Sequence, residues 1–423
     1  SILDSKTSII TGKNVQIFPS LKNFAGTFDG DSYTIYGAYV TSENEEVGLF
    51  TNLTGDIENL YVDNAMVYGG SVTGGIASSS VSSDLESVSF RGYVVNSQEK
   101  KSLSKEISLN VNPVTLLENE TSQNLNISAS YTENALLGNV LNVYLTGNLS
   151  LTNPSSSVTI NGENVLAGDF SIPLDSSLHY NLPVTVTGEA GDSFTFTDVK
   201  IVIQAEYSSV GGIIGQADGV TLKNIINKSD VYGSLYAGGL LGSTIRSTSI
   251  ADTYNLGTVK SNLTAAGLIG LIQGNNEDVQ VLRSYNAGTV VASNAAGILG
   301  DVLNNTGGVL LSTTFDTSDT LYKIHHVTES TVNVSGSYLV NGSTVLEGSV
   351  NGNFAATSLS NLQSSSFLVS FWPYIDSEAL RTAPNRVWVF ESGELPILYT
   401  DDAKNPVAQI HVGTYTWKNV GYV

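Results

Sequence analysis

The sequence of 423 residues contains no cysteine, which excludes disulfide bonds, thiolate metal ligands and cysteine nucleophiles. Basic residues are also scarce, because 18 Lys and Arg stand against 39 Asp and Glu, for a formal net charge of -21. Such an acidic chain repels DNA, RNA and anionic lipid, so we expect no nucleic-acid partner. No run of about 20 apolar residues occurs, so we expect no membrane span.

What the sequence has in quantity is glycine, with 41 residues, and part of it recurs in a short motif. The motif reads VGGIIG from residue 210, AGGLLG from 237, AAGLIG from 265 and AAGILG from 295. Its shared glycine falls at Gly212, Gly239, Gly267 and Gly297, at nearly constant spacing. The same spacing separates Gly48 from Gly75. A repeat of about 27 to 30 residues is typical of a solenoid.

Short β-branched runs separated by Gly, Asn, Ser and Asp fill each repeat, and helical spacing of apolar residues is absent. This pattern predicts short strands joined by turns and stacked once per repeat. We therefore expect an all-β chain built on a right-handed parallel β-helix, a solenoid of roughly seven to nine coils and about 35 to 45 Å long. Aromatic and apolar residues align in the second half of the coil, and we predict that they pack inside it rather than bind sugar. They are Phe90, Ile226, Tyr254, Tyr285 and Phe315.

The repeat is interrupted, because Gly75 and Gly212 are about five repeat lengths apart with no copy of the motif between them. Alternating apolar and polar residues replace the glycine rhythm over 98–207, which predicts an inserted β-rich segment, either an Ig-like β-sandwich or a large cover loop. Coils of the β-helix are expected over 1–97 and 208–320. An irregular loop, closing strands and a cap are expected over 321–423, since the open end of a β-helix is an exposed edge.

The glycine motif is followed by a Tyr-Asn-x-Gly-Thr-Val half-coil at 254–259 and 285–290, and this combination resembles the GLUG repeat of secreted and surface-anchored bacterial and archaeal proteins. The strings FAGTFDGDSYTIYG at 24–37 and RVWVFESGELPILY at 386–399 are similar to the first and closing segments of such proteins. The resemblance implies a secreted or cell-surface location and an adhesin-like role without fixed catalytic residues. In architecture and size the chain also resembles the tapirins, which attach bacteria to cellulose.

No arrangement of residues predicts catalysis, a metal or a cofactor. Glycoside hydrolysis requires two carboxylates held several Å apart. The carboxylates that the half-coils contribute do not share one register: Asp63, Asp230, Asp252 and Asp316. His325 and His326 are adjacent on an expected strand, so they point to opposite faces and do not chelate one metal.

An acidic chain with 20 Tyr and 3 Trp suits a neutral glycan, because flat sugar faces stack on aromatic rings without a counter-charge. We therefore predict a monomeric, non-catalytic adhesin that binds an insoluble neutral polysaccharide, with cellulose favoured. Candidate ligand-binding residues outside the aligned column are Tyr36, Tyr39, Tyr68, Tyr232, Trp372 and Tyr374. Two alternatives stay open: a polysaccharide-degrading β-helix enzyme, and a structural subunit of a surface layer or filament.

Overall fold

A computed structural model describes residues 16–42, 46–96, 100–130, 139–175, 179–274, 278–303, 307–328, 330–371, 387–390, 393–398 and 409–411. Strands hold 65% of the residues and helices 2%, which confirms the all-β class. The chain divides into two compact units. One comprises Ser1–Lys100 with Ser208–Val423, and the other is Lys101–Tyr207, where the sequence predicts an insert over 98–207.

Before residue 100 the first unit contributes short strands that follow one another closely. They are β1 (Gln16–Ile17), β2 (Leu21–Lys22), β3 (Thr27–Asp29), β4 (Thr34–Tyr36), β5 (Ala38–Ser42), β6 (Glu46–Val47), β7 (Phe50–Thr51), β8 (Asp56–Glu58), β9 (Tyr61–Gly69), β10 (Val72–Gly74), β11 (Ala77–Val81) and β12 (Asp84–Val95).

The second unit is built from longer strands. They are β13 (Lys101–Ser108), β14 (Val114–Thr115), β15 (Ser122–Ser130), β16 (Asn139–Leu151), β17 (Ser157–Ile160), β18 (Glu163–Val165), β19 (Gly168–Leu174), β20 (His179–Thr187) and β21 (Ser193–Tyr207). They form two antiparallel sheets, one with β13, β14, β16, β19 and β21 and one with β15, β17, β18 and β20. Both sheets contribute to one apolar core, to which Leu145 and Ile201 belong from the first sheet and Val184 from the second.

After residue 208 the first unit resumes with short strands and two short helices. They are β22 (Ser209–Gly211), β23 (Ile214–Asp218), β24 (Thr221–Asn227), β25 (Asp230–Gly233), β26 (Tyr236–Gly238), β27 (Leu241–Thr244), β28 (Thr248–Asn255), β29 (Val259–Ser261), β30 (Thr264–Ala266), β31 (Ile269–Gln273), β32 (Val279–Leu282), β33 (Tyr285–Asn286), β34 (Val290–Val291), β35 (Asn294–Leu303), β36 (Val309–Ser312), β37 (Phe315–Asp316), β38 (Tyr322–Thr328), β39 (Val332–Leu339), β40 (Ser343–Glu347), β41 (Val350–Ala356), α1 (Leu359–Leu362), α2 (Ser365–Phe371), β42 (Trp388–Val389), β43 (Ile397–Leu398) and β44 (Gln409–His411). Among the described residues, no helix is long and apolar enough to cross a membrane.

In the first unit most strands pair in parallel with the equivalent strand of the next repeat, and β44 pairs in parallel with β4. The described strands of this unit form two large sheets, of 19 and 14 strands, besides the antiparallel pair β42 and β43. Pairing across the insert keeps the same register, since β10 pairs with β22 and β12 pairs with both β24 and β25. The repeats before the insert and those after it therefore align as if the inserted residues were absent.

A ladder of valines shows which side of these strands faces the core. Each valine is in register with the next, and all belong to the main apolar cluster: Val40, Val67, Val94, Val231, Val259 and Val290. Successive residues of a strand point to opposite faces. The residues immediately before and after each valine therefore lie on the outer face.

A second ladder, formed by polar side chains, crosses the interior. We call it the asparagine ladder. Asn227 Nδ2 donates to Asn255 Oδ1 at 2.7 Å, and Asn255 Nδ2 donates to Asn286 Oδ1 at 2.8 Å. Asn286 Nδ2 then donates to Asp316 Oδ1 at 2.8 Å, and Lys323 Nζ lies 2.5 Å from Asp316 Oδ2. The side chains of Asp316 and Lys323 are both 0% exposed. Buried polar groups require such partners, and here each repeat supplies the partner of the next.

The recurring glycine leaves room for this ladder. A Cβ added to Gly239 would lie 2.6 Å from Asn255 Cγ and closer still to the carbonyl oxygen of Gly267. A Cβ added to Gly267 would meet the amide of Asn286 in the same way. The glycine motif and the asparagine that follows it are thus two sides of one contact, which explains why both recur.

The predicted aromatic column is wrong at its first member. Phe90 pairs with Asn227, whereas the partner of Ile226 is Ser89, so Phe90 heads the asparagine ladder and belongs to the main core. The other four residues form a separate cluster, in which the rings of Tyr254 and Tyr285 stack at 4.9 Å. The C-terminal segment covers this cluster with Leu362, Leu368, Trp388 and Leu398, all buried. The prediction that the column residues pack inside the coil is therefore wrong for all four of this cluster, because they are buried under that segment and not in the main core.

Candidate ligand-binding face

Four tyrosines alternate across the outer face of β5, β9, β12 and β25. One column runs Tyr39, Met66, Tyr93 and Asp230, each residue in register with the next. The neighbouring column, two residues further along each strand, runs Thr41, Tyr68, Val95, Tyr232 and Lys260. In these two columns each of the four strands has one tyrosine, which precedes the core valine on β5 and β12 and follows it on β9 and β25. We call these four rings the tyrosine face.

Two apolar side chains, Met66 and Val95, lie between the rings of the tyrosine face and form its apolar floor. Met66 and Val95 point outward yet are only 4% exposed, and each lies in register between two tyrosines. The four tyrosines themselves are half-buried. Rings that are half-buried over an apolar floor lose little rotamer freedom when a ligand stacks on them, which favours binding.

The Tyr232 phenol interacts electrostatically with its neighbours at one end of the face. Burial raises the pKa of the Tyr232 phenol, and the negative charge of Asp230 and the Tyr93 phenol raise it further. Asp230 is held by the backbone N–H of Thr258, which donates to its Oδ1 at 3.0 Å. The polar groups beside the rings are therefore the phenols, the Asp230 carboxylate, and the Thr41 hydroxyl and Lys260 ammonium of the second column.

The structure brings together three of the six candidate residues, Tyr39, Tyr68 and Tyr232. Tyr36 is half-buried on β4, in register with Asp63 rather than with either column. Trp372 and Tyr374 lie outside the described residues, so their part in binding stays a prediction.

Sequence reasoning missed Tyr93. It stands two repeat lengths after Tyr39, but the intervening repeat carries Met66 at the equivalent position. A search for aromatic residues at twice the repeat length would have found the pair.

The carboxylates considered for catalysis have structural partners. The Asp252 carboxylate accepts hydrogen bonds from Arg283 Nε at 2.8 Å and Arg283 Nη2 at 2.7 Å, and a third from Trp388 Nε1 at 2.9 Å. Asp63 lies 2.7 Å from Arg91 Nε. With Asp230 and Asp316 already assigned, all four carboxylates weighed for catalysis bind groups of the chain itself.

The histidine pair lies near Asp301. His325 Nδ1 is 2.6 Å from Asp301 Oδ1, and His326 Nε2 is 2.7 Å from the Thr328 hydroxyl. In the part of the chain that the structure describes, no group of three or more acidic or histidine side chains is arranged to hold a metal ion.

The chain matches no protein-family model, no curated protein and no solved structure, so the resemblance to GLUG-repeat proteins and tapirins stays a prediction.

Proposed function

We propose that the protein is a secreted or cell-surface adhesin that binds a neutral, insoluble polysaccharide, with cellulose favoured, through the tyrosine face. The alternation of four half-buried tyrosines on four adjacent strands carries the proposal. Each ring offers a flat apolar surface and a hydroxyl, which suits the apolar face and polar edge of a sugar. A net charge of -21 disfavours anionic partners but leaves neutral glycans unopposed.

The rigid support is part of the proposal. We infer that the first unit is a right-handed parallel β-helix, since its strands pair in parallel one repeat apart and parallel crossovers are right-handed in about 98% of cases. Such a framework holds its outer rings at fixed positions along an extended ligand. We also propose that the chain is related to the GLUG-repeat adhesins and that it is a monomer.

The experiment is retention on insoluble polysaccharides: cellulose, mannan, chitin and xylan. We expect retention on cellulose that survives high salt, because stacking, unlike an ionic contact, is not screened. Incubation with the same materials should release no reducing sugar. Absence of retention on all four would refute the proposal, and release of reducing sugar would favour an enzyme.

The matched variants are Tyr232→Ala on the tyrosine face and Tyr33→Ala outside it. Tyr33 is 42% exposed and lies in neither column, so it controls for loss of a surface ring. Loss of one stacked ring should weaken retention by about threefold to tenfold. Equal retention of both variants would place the binding site elsewhere.

A further inference from the structure

We propose that the tyrosine face selects a β-1,4-linked chain of neutral hexoses in its flat, twofold form, lying across the strands with about one sugar over each strand. This inference rests on the proposed function and specifies the linkage, the orientation and the length of the ligand.

The spacing of the four tyrosine positions along and across the strands carries the inference. Tyr39 and Tyr93 occupy one column with Met66 between them, so two strand spacings separate them, about 9.5 Å. Tyr68 and Tyr232 occupy the other column with Val95 between them, at the same separation. The two columns are about 6.5 Å apart, which is two residues along a strand.

A twofold chain repeats in the same way. Each sugar of a flat β-1,4-linked chain is rotated by half a turn relative to the one before, so every second sugar presents the same face, at a repeat close to two strand spacings. Alternate sugars also carry their hydroxymethyl groups on opposite sides of the chain axis. Rings that alternate between two columns, strand by strand, match this pattern.

Chains with other helical forms do not match. A xylan chain turns by a third of a revolution per sugar, so the same face returns only at every third sugar. A β-1,3-linked chain coils and exposes no flat ribbon. Either chain would meet one or two of the four rings in a stacking orientation and leave the others without a partner.

The ends of the face limit the ligand to about four sugars. At one end the first column continues from Tyr93 to Asp230 and the second from Tyr232 to Lys260. At the other end the residue in register with Tyr39 is Ile17 on β1, so no aromatic residue extends the first column there. Asp230 places a carboxylate at the β25 end, where it can accept hydrogen bonds from sugar hydroxyls. A tetrasaccharide should therefore fill the site.

The test is calorimetric titration of the full chain with soluble oligosaccharides. Cellotetraose and mannotetraose should bind at least tenfold more tightly than xylotetraose or laminaritetraose. Cellotetraose should bind at least tenfold more tightly than cellobiose, and cellohexaose within about threefold of cellotetraose. Equal affinity for all linkages would overturn the inference while leaving the proposed function intact; absence of binding to any soluble or insoluble glycan would remove both.

A double exchange tests the spacing itself. Met66→Tyr together with Tyr93→Met keeps the composition and the number of rings but puts two rings of one column on adjacent strands. We expect cellotetraose affinity to fall at least tenfold with the melting temperature preserved, whereas unchanged affinity would contradict the spacing argument. If the exchange destabilises the fold, Tyr93→Ala and Tyr68→Ala provide the test, each with a loss of about threefold to tenfold against unchanged binding by Tyr33→Ala.

Discussion

Removal of the Lys323 ammonium group, which lies at the end of the asparagine ladder, should destabilise the first unit strongly. Lys323 Nζ is 2.5 Å from Asp316 Oδ2, and it also contacts the Thr320 carbonyl oxygen and hydroxyl, each at 3.1 Å. Both charged side chains are 0% exposed. Removing one partner of a buried ion pair typically costs about 3–5 kcal/mol, because the other charge stays buried without compensation. We expect a loss of this size for Lys323→Met at pH 8, measured by urea denaturation followed by circular dichroism.

The loss should depend on pH. Burial raises the pKa of the Asp316 carboxyl above its usual value of 3.8, and the positive charge of Lys323 opposes that rise. A raised pKa in the folded state favours folding at low pH and loses that contribution as pH rises through the folded pKa. Without Lys323 the carboxyl is neutral over a wider range of pH. The difference in unfolding free energy between Lys323→Met and the wild type should therefore shrink from pH 8 to pH 5.

The control variant removes both charges. Lys323→Met combined with Asp316→Asn leaves an amide at the end of the ladder, as in the three preceding repeats, with an oxygen still able to accept from Asn286. Most of the stability should return, since neutral replacements of buried pairs are often tolerated. A pH-independent loss for the single variant, or no recovery in the double variant, would refute the reasoning.

Three further predictions concern the repeat and its interruptions. Gly239→Ala should lower the free energy of unfolding by about 1–3 kcal/mol in urea denaturation, because the added Cβ would clash with the amide of Asn255. Gly26→Ala should leave it nearly unchanged, because its Cβ would meet only the ring of Phe24 at 3.6 Å. Equal effects of the two variants would contradict the packing. Excision of residues 98–207, with residue 97 joined to 208, should leave the first unit folded, because Asn96 Nδ2 already donates to Ser208 Oγ at 2.9 Å; loss of β-structure by circular dichroism beyond the share of the insert would argue against it. Deletion of residues 401–423 should cause aggregation in size-exclusion chromatography, because β44 pairs with β4 and its removal exposes that strand; a monomer with an unchanged melting temperature would show that this pairing is dispensable.

Periodicity accounts for what the sequence predicts well. The shared glycine recurs at Gly212, Gly239 and Gly267 because its backbone lies against the asparagine amide of its own repeat, and this contact leaves no room for a side chain. The Tyr-Asn pair shows the limit of such reasoning. In Tyr254 and Asn255 the two side chains point to opposite faces, and periodicity alone does not show that Trp388, far later in the sequence, covers the tyrosine. Contacts between residues so far apart in the sequence depend on where the C-terminal segment packs, which the repeat does not specify.

The tyrosine face was only partly predictable for a related reason. Tyr68 and Tyr232 occupy equivalent positions but are separated in the sequence by the insert, while Tyr39 and Tyr93 are separated by a repeat that carries methionine instead. Pairing of β12 with β25 across the insert brings the two halves together. The alternation of the rings can be recognised only when the register of the paired strands is known.

The most direct test of the central claim is a binding isotherm of the protein on microcrystalline cellulose, with wild type, Tyr93→Ala and Tyr33→Ala compared at low and high salt. We predict saturable, salt-insensitive binding by the wild type and Tyr33→Ala, and binding about threefold to tenfold weaker for Tyr93→Ala. Absence of saturable binding by the wild type, or identical isotherms for all three proteins, would contradict the claim that the tyrosine face binds the polysaccharide.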